Sequence, residues 1–360
     1  MRFSIARFVL ALTLLITLAS LGPFSHAQTA KTTLLALSKH DHTLAIVDAK
    51  TLKVLARLPV GVDPHEVIAS SDGTRAYVTI YGFNRYHTLN VLDLVAQKAL
   101  PDMDTGALTG LHGVVFVGGK VWFTAEGAKD VARFNPSSNT IDWIMGTGQN
   151  RTHMLYVTPD EKTIYTTNVA SGTVSILEQV ALPPMGSPPG MPAPPPGQGQ
   201  PAPPPNATPR VDWNQTIISV GRGDEGFDVS PDGRELWTAN SQDGTLSVID
   251  LSTKKVTATV DAKFIASNRL KFTPDGKLVF ISSLREEDVL VYDAATRKEY
   301  RRIHVGDGAA GIQMDPDGSR AFIACTPNNY VAVVDLKKLE VTGHIDVGGE
   351  PDGLAWAVRP

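Results

Sequence analysis

Short apolar runs recur along the chain, each centred on one large side chain and bounded by polar residues. The runs LLAL, AYVT, VWFT, IYTT, LWTA, VFIS and AFIA carry Leu35, Tyr77, Trp122, Tyr165, Trp237, Phe280 and Phe322. The steps between these residues are 42, 45, 43, 72, 43 and 42. A second column ends the runs LAIVD, LNVLD, VARFN, VSILE, LSVID, VLVYD and VAVVD at Asp48, Asp93, Asn135, Glu178, Asp250, Asp293 and Asp335. A fixed period of this size marks a repeat architecture, in which each unit buries its faces against its neighbours. The runs are short and rich in β-branched and aromatic residues, so they read as strands. SSDG, TPDE, SPDG, TPDG and DPDG separate them. In such turns proline presets φ, and Asp and Gly suit the positions that follow.

The one long step holds about 29 extra residues, LPPMGSPPGMPAPPPGQGQPAPPPNATPR, at 182–210. Proline lacks the N–H that a sheet ladder needs, so this segment is expected to be an extended, solvated loop. It joins the third and fourth strands of its unit. Four strands per unit and seven units predict an all-β fold, a seven-bladed β-propeller with four-stranded blades. The last segment, GGEPDGLAWAVRP, supplies only an inner strand. TLLALS, LAIVD and KVLARLPV supply the other three, so the N- and C-terminal strands should share the closing blade and remove a free edge.

The chain begins with two arginines, an apolar run FVLALTLLITLA and the small residues of SHA before Gln28. This is the pattern of a signal peptide over residues 1–27, leaving one domain over 28–360 in the periplasm or outside the cell. Composition narrows the partners. A formal charge of −4 without long charged runs argues against nucleic acid, and no stable membrane insertion is expected after cleavage. Cys325 is the single cysteine, which excludes an internal disulfide and a covalently attached c-type haem. A monomer held by packing is expected.

The run PHEVIASSDGTRAYVT, echoed in DVSPDGRELWTANSQDGTLSVIDLSTKKVTATV and FTPDGKLVFISS, resembles the YVTN-type β-propeller repeat of prokaryotic surface-layer-like and other exported proteins. The resemblance covers nearly all of the chain outside the leader and the proline-rich segment. It implies the fold and leaves the chemistry open, because similar repeats serve lactonase-like enzymes, subunits of redox enzymes and proteins without known chemistry.

Chemistry enters through one further column. His65, His112 and His153 fall at the same place in three consecutive units, followed by Glu225, Asn268, Ala310 and Asp352. His112 aligns once its turn, VGGK, is taken as two residues shorter. The position starts the innermost strand, so the seven side chains should ring one mouth of the central channel. Neutral imidazole is a ligand for zinc and copper, and three histidines with an open position is a catalytic pattern. Glu225 or Asp352 would then be a fourth ligand or a general base. Loops on the same face add His40, Asp41 and His42, then Arg85, Tyr86 and His87. They also bring Glu126, Asn168 and Asn240, with Arg151, Arg222 and Arg269 beside the column. Asn268, Arg151, Arg222, Arg269, Glu126, Asn168 and Asn240 are the expected ligand-binding residues.

Four readings stand. The leading one is an exported binding or scaffold module with a small-molecule or protein ligand at this mouth. The second is a metal-dependent hydrolase or copper oxidoreductase built on the three histidines. The third is a metal-free lactonase using histidine, arginine and carboxylate. The fourth is a channel mouth whose polar residues simply bond to water and backbone.

Overall fold

The computed structural model describes residues 31–182 and 211–360. The expected leader and nearly all of the proline-rich segment lie outside them. Seven antiparallel sheets form a ring, each built inner strand to outer strand. Blade 1 pairs Pro351–Val358, innermost, with Thr32–Ser38, Thr43–Asp48 and Val54–Pro59. The inner strands of blades 2 to 7 are Pro64–Ala69, Leu111–Val117, Thr152–Val157, Asp224–Val229, Ser267–Phe272 and Ala309–Met314. The chain ends therefore share blade 1, with Thr32 opposite Val358.

One blade departs from four plain strands. The outer strand of blade 2 is split into Lys98–Ala99 and Met103–Asp104. Pro101 falls in the gap, where it removes a ladder donor on an edge that tolerates the loss. In blade 4 the strands Thr173–Ala181 and Val211–Ser219 pair along their length and bracket the proline-rich segment. Two-residue shortening in blade 3 is met by a hairpin at Gly118 and Gly119, both at positive φ, which suits the twist of the flanking strands.

The repeat columns explain the packing. Leu35, Tyr77, Trp122, Trp237, Phe280 and Phe322 are fully buried, and Tyr165 is half-buried. Trp237 meets Phe272 of the next blade at 5.9 Å between ring centres, and Phe322 meets Trp356 at 5.4 Å. Each such burial stabilises the ring by about 1.5–3 kcal/mol. The acidic column closes turns. Asp48, Asp93, Asp250, Asp293 and Asp335 each accept backbone N–H groups two or three residues on. Cys325 is buried, and burial pushes its thiol up to about 12, so it stays protonated. Among the described residues no helix is long and apolar enough to cross a membrane.

Candidate functional site

The seven column residues, His65, His112, His153, Glu225, Asn268, Ala310 and Asp352, line one cavity of about 270 Å³. Each is the second residue of its inner strand. In all seven blades the pairing between the inner strand and its neighbour slips at this residue. A bulge frees a residue from the ladder and re-aims its side chain. Here seven bulges turn seven side chains toward one mouth.

A hydroxyl relay sets the bulges. Thr79, Thr124, Thr167 and Ser282 lie two residues after the aromatic column. Each takes a backbone N–H freed by the bulge of its own blade, at Glu66, Gly113, Met154 and Arg269. Each donates in turn to a carbonyl of the next blade. Thr79 Oγ1 bonds His112 O at 2.6 Å and Thr124 Oγ1 bonds His153 O at 2.5 Å. Thr167 and Ser282 do the same for Glu225 and Ala310. Gly113 completes the fit, since a Cβ there would stand 2.7 Å from His153 O. Thr124→Val keeps the volume but strands a buried N–H and a buried C=O. The expected loss is about 2–3 kcal/mol, read from a urea titration.

Two groups of side chains occupy the cavity. In the first, His112 and His153 lie with ring centres 3.8 Å apart. His153 Nδ1 donates to Glu126 Oε1 at 2.5 Å. Glu126 Oε2 accepts from the Tyr81 hydroxyl at 2.8 Å and from Arg151 Nε at 3.4 Å. Burial works to raise the Glu126 carboxyl. The bond to His153, the charges of His153 and Arg151 and the Tyr81 hydroxyl outweigh it and hold the group low. The bond to Glu126 uses Nδ1 and orients the His153 ring, leaving Nε2 as the nitrogen for any further partner. That nitrogen is buried without a hydrogen-bond partner and faces Glu225 Oε1 at 3.6 Å. His112 Nδ1 is likewise buried and unpartnered. Burial first, then the charges of His153, His65, Arg269 and Arg151, push His112 far below the ordinary histidine range.

In the second group, His65 Nε2 lies 2.9 Å from Lys39 Nζ and 3.0 Å from Asp63 Oδ1. His65 Nδ1 faces Asp352 Oδ2 at 3.7 Å. Burial favours the neutral Asp63 carboxyl, but the His65 bond and charge, then Lys39, hold it down at about 2. His65 packs 4.8 Å from His112 and 4.9 Å from Tyr81 by ring centres.

Beneath the mouth, Arg269 Nη2 donates to Glu66 Oε1, and both side chains are buried. The partners belong to blades 6 and 2, three places apart in a ring of seven. Their ion pair crosses the channel and floors the cavity. Five carboxyl groups (Asp63, Glu66, Glu126, Glu225 and Asp352) meet three cations (Lys39, Arg151 and Arg269) here, a formal excess of two negative charges.

The other expected residues are placed elsewhere. Asn168 is buried and bonds Thr152, Thr173 and Ser175 within its blade. Asn240 bonds Thr245 and Ser247. Arg222 is exposed and pairs with Asp243 at 2.7 Å. Asp224, two residues on, is fully buried. His40 pairs with Asp41, and His87 with Asp104, both at the surface. His42, Arg85 and Tyr86 are exposed on the same loops. Reading from sequence missed Lys39, Asp63, Glu66 and Tyr81.

No family model matches the chain. It is 33% identical over 94 residues to Antigen Lp49 of Leptospira interrogans serogroup Icterohaemorrhagiae serovar copenhageni (strain Fiocruz L1-130). That match spans 26% of this chain and about a fifth of the antigen's length, 21%. Among solved structures, a functionally unknown protein from Desulfotomaculum acetoxidans DSM 771 aligns with a TM-score of 0.71 at 13% identity, over 91% of this chain and 99% of its own. A candidate 6-phosphogluconolactonase from Bacteroides uniformis ATCC 8492 aligns with a TM-score of 0.67 at 17% identity, over 90% and 99%. The dihydro-heme d1 dehydrogenase NirN aligns with a TM-score of 0.58 at 15% identity, over 89% and 74%. At these identities the likeness is one of fold: this chain is a seven-bladed β-propeller.

Proposed function

We propose that the protein is an exported, metal-binding propeller whose ligand at the mouth is a zinc or copper ion. One observation carries the reading: two buried imidazole nitrogens, His112 Nδ1 and His153 Nε2, have no hydrogen-bond partner, and both side chains line the same cavity. Buried polar atoms are almost always satisfied, so each exception calls for a group that fills it. Imidazole and carboxylate together suit zinc and copper. One nitrogen from each histidine and one Glu126 oxygen lie within 4.8 Å of one another.

Both Glu126 oxygens already accept hydrogen bonds. We therefore assign Glu126 to orienting His153 and Glu225 to completing the ligand set with His112 and His153. A carboxylate behind a ligating histidine fixes its tautomer and raises its basicity. The rest of the cavity remains for a small molecule, which keeps the role of a binding module. Supporting export are the leader-like segment 1–27 and the resemblance to YVTN-type repeats of exported proteins.

The test is metal content by mass spectrometry on untagged protein, before and after reloading. About one zinc or copper per chain is expected, and none in His112→Ala/His153→Ala. Glu126→Gln should retain the metal 10–100-fold more weakly. Metal a thousandfold above its Kd should stabilise the fold by about 4 kcal/mol in a thermal melt. A folded protein that takes up no metal would sink the reading.

A further inference from the structure

The second group in the mouth has the donor set of a cation site, and it is already filled by a cation of the chain itself. Lys39 Nζ lies 2.9 Å from His65 Nε2, 3.4 Å from Asp352 Oδ2 and 3.5 Å from Asp63 Oδ1. One imidazole and two carboxylates converge on this ammonium. They come from blade 2, from the loop before it, and from the last strand of the chain. Lys39 itself enters from the loop after Thr32–Ser38 in blade 1. Three separate stretches of chain thus meet around one positive charge, and none of the four side chains is exposed. The His65 ring lies 4.8 Å from His112 by ring centres, so this group borders the metal-binding half of the same cavity.

We infer that Lys39 is a built-in second cation that limits the mouth to one metal ion. The inference rests on the metal reading above and assigns the residue that decides stoichiometry. A single ammonium offsets the carboxylates of Asp63 and Asp352, contacts His65 Nε2 and occupies the point where an ion would sit. A divalent ion entering there would have to displace a tethered charge, which is always present at high local concentration. With the lysine in place, His65 Nε2 is withheld from the metal, whereas His112 Nδ1 and His153 Nε2 are buried and unpartnered. With the charge removed, the same imidazole and carboxylates become an open ligand set of the kind zinc takes.

The test uses zinc alone as probe, with the full chain as wild type, Lys39→Met, Lys39→Gln and Lys39→Arg. Zinc per folded chain is read by native mass spectrometry and by calorimetric titration. Wild type and Lys39→Arg should bind one zinc, and Lys39→Met and Lys39→Gln two. Adding His112→Ala/His153→Ala to Lys39→Met should leave one zinc, at His65. Zinc should raise the melting temperature of Lys39→Met more than that of wild type, and this readout holds even where removal of the charge lowers stability. One zinc in wild type and in both neutral variants overturns the role of Lys39 and leaves the metal reading standing. No zinc in wild type overturns the metal reading instead.

Discussion

Arg269→Met should destabilise the protein by about 3–5 kcal/mol, the largest effect expected of any single change near the mouth. The cause is the partner left behind. Glu66 is buried, and its Oε1 accepts from Arg269 across the channel. Methionine fills much of the arginine's volume but leaves a carboxylate without a counterion in a poorly solvated place. Arg269 also donates to Asn268 Oδ1 at 3.1 Å, so the change loosens one of the column residues as well. Burial works against the arginine's charge, yet Glu66, Asp352 and Glu225 together hold its guanidinium above its ordinary value. Replacing both partners, as Glu66→Leu/Arg269→Met, should return most of the stability, because no buried charge is then orphaned. Urea midpoints of the two singles and the double decide the matter. A single Arg269→Met variant as stable as wild type would contradict the account of the channel floor.

Asp224 governs the second prediction, a fall in stability as pH rises from about 4 to about 8 in the metal-free protein. Burial pushes its carboxyl up from 3.8 to about 8, opposed by backbone N–H groups including that of Asn168, with Glu225 adding to the rise. In the unfolded chain the group is a carboxylate above pH 4. The folded state therefore binds the extra proton throughout this window, and stability drops as pH climbs through it. Stability from this source is complete below about pH 4 and gone above about pH 8. Its size is on the order of 5 kcal/mol. Asp63 works in the opposite sense and in another window. Its carboxyl is held at about 2, so its contribution is full above pH 4 and is lost as acid approaches pH 2. Asp224→Asn keeps the acceptor for Asn168 and has no proton to lose. Melts of this variant across pH 4–8 should run flat where the wild type declines. An equal decline in both would assign the pH dependence to other groups.

The ring was legible in the sequence because its cause is periodic. A four-stranded unit every 43 residues or so places Tyr77, Trp122 and Trp237 on second strands between blades and His65, His112 and His153 on inner strands at one mouth. What was not legible is register. Bulges arise from pairing between strands, and a list of residues shows no pairing. The bulge is why Glu66 and Arg269, one step along from the column, reach the channel. The hydroxyl column Thr79, Thr124, Thr167 and Ser282 was visible as the final letter of YVT, WFT, YTT and FIS, and it carried the positional information for the site. Loop residues were the least legible. In SKHDHT the histidines draw attention, yet Lys39 is the one that turns inward. Asn168 and Asn240 end strands at the correct face, but their amides turn into their own blades toward Ser175 and Ser247.

The shared blade has a consequence in time. Thr32–Ser38 is translated among the first strands and Pro351–Val358 last of all those described. Until that final strand leaves the ribosome, three strands of blade 1 have no innermost neighbour, and Asp352 is missing from the mouth. The other six blades draw their strands from contiguous stretches of chain, but without that strand the ring cannot shut. Pairing over more than 300 residues of separation, as between Thr32 and Val358, is also among the slowest kinds of contact to make. Closure of the ring thus waits for the pairing of Thr32–Ser38 with Pro351–Val358, and a complete mouth, Asp352 included, waits with it.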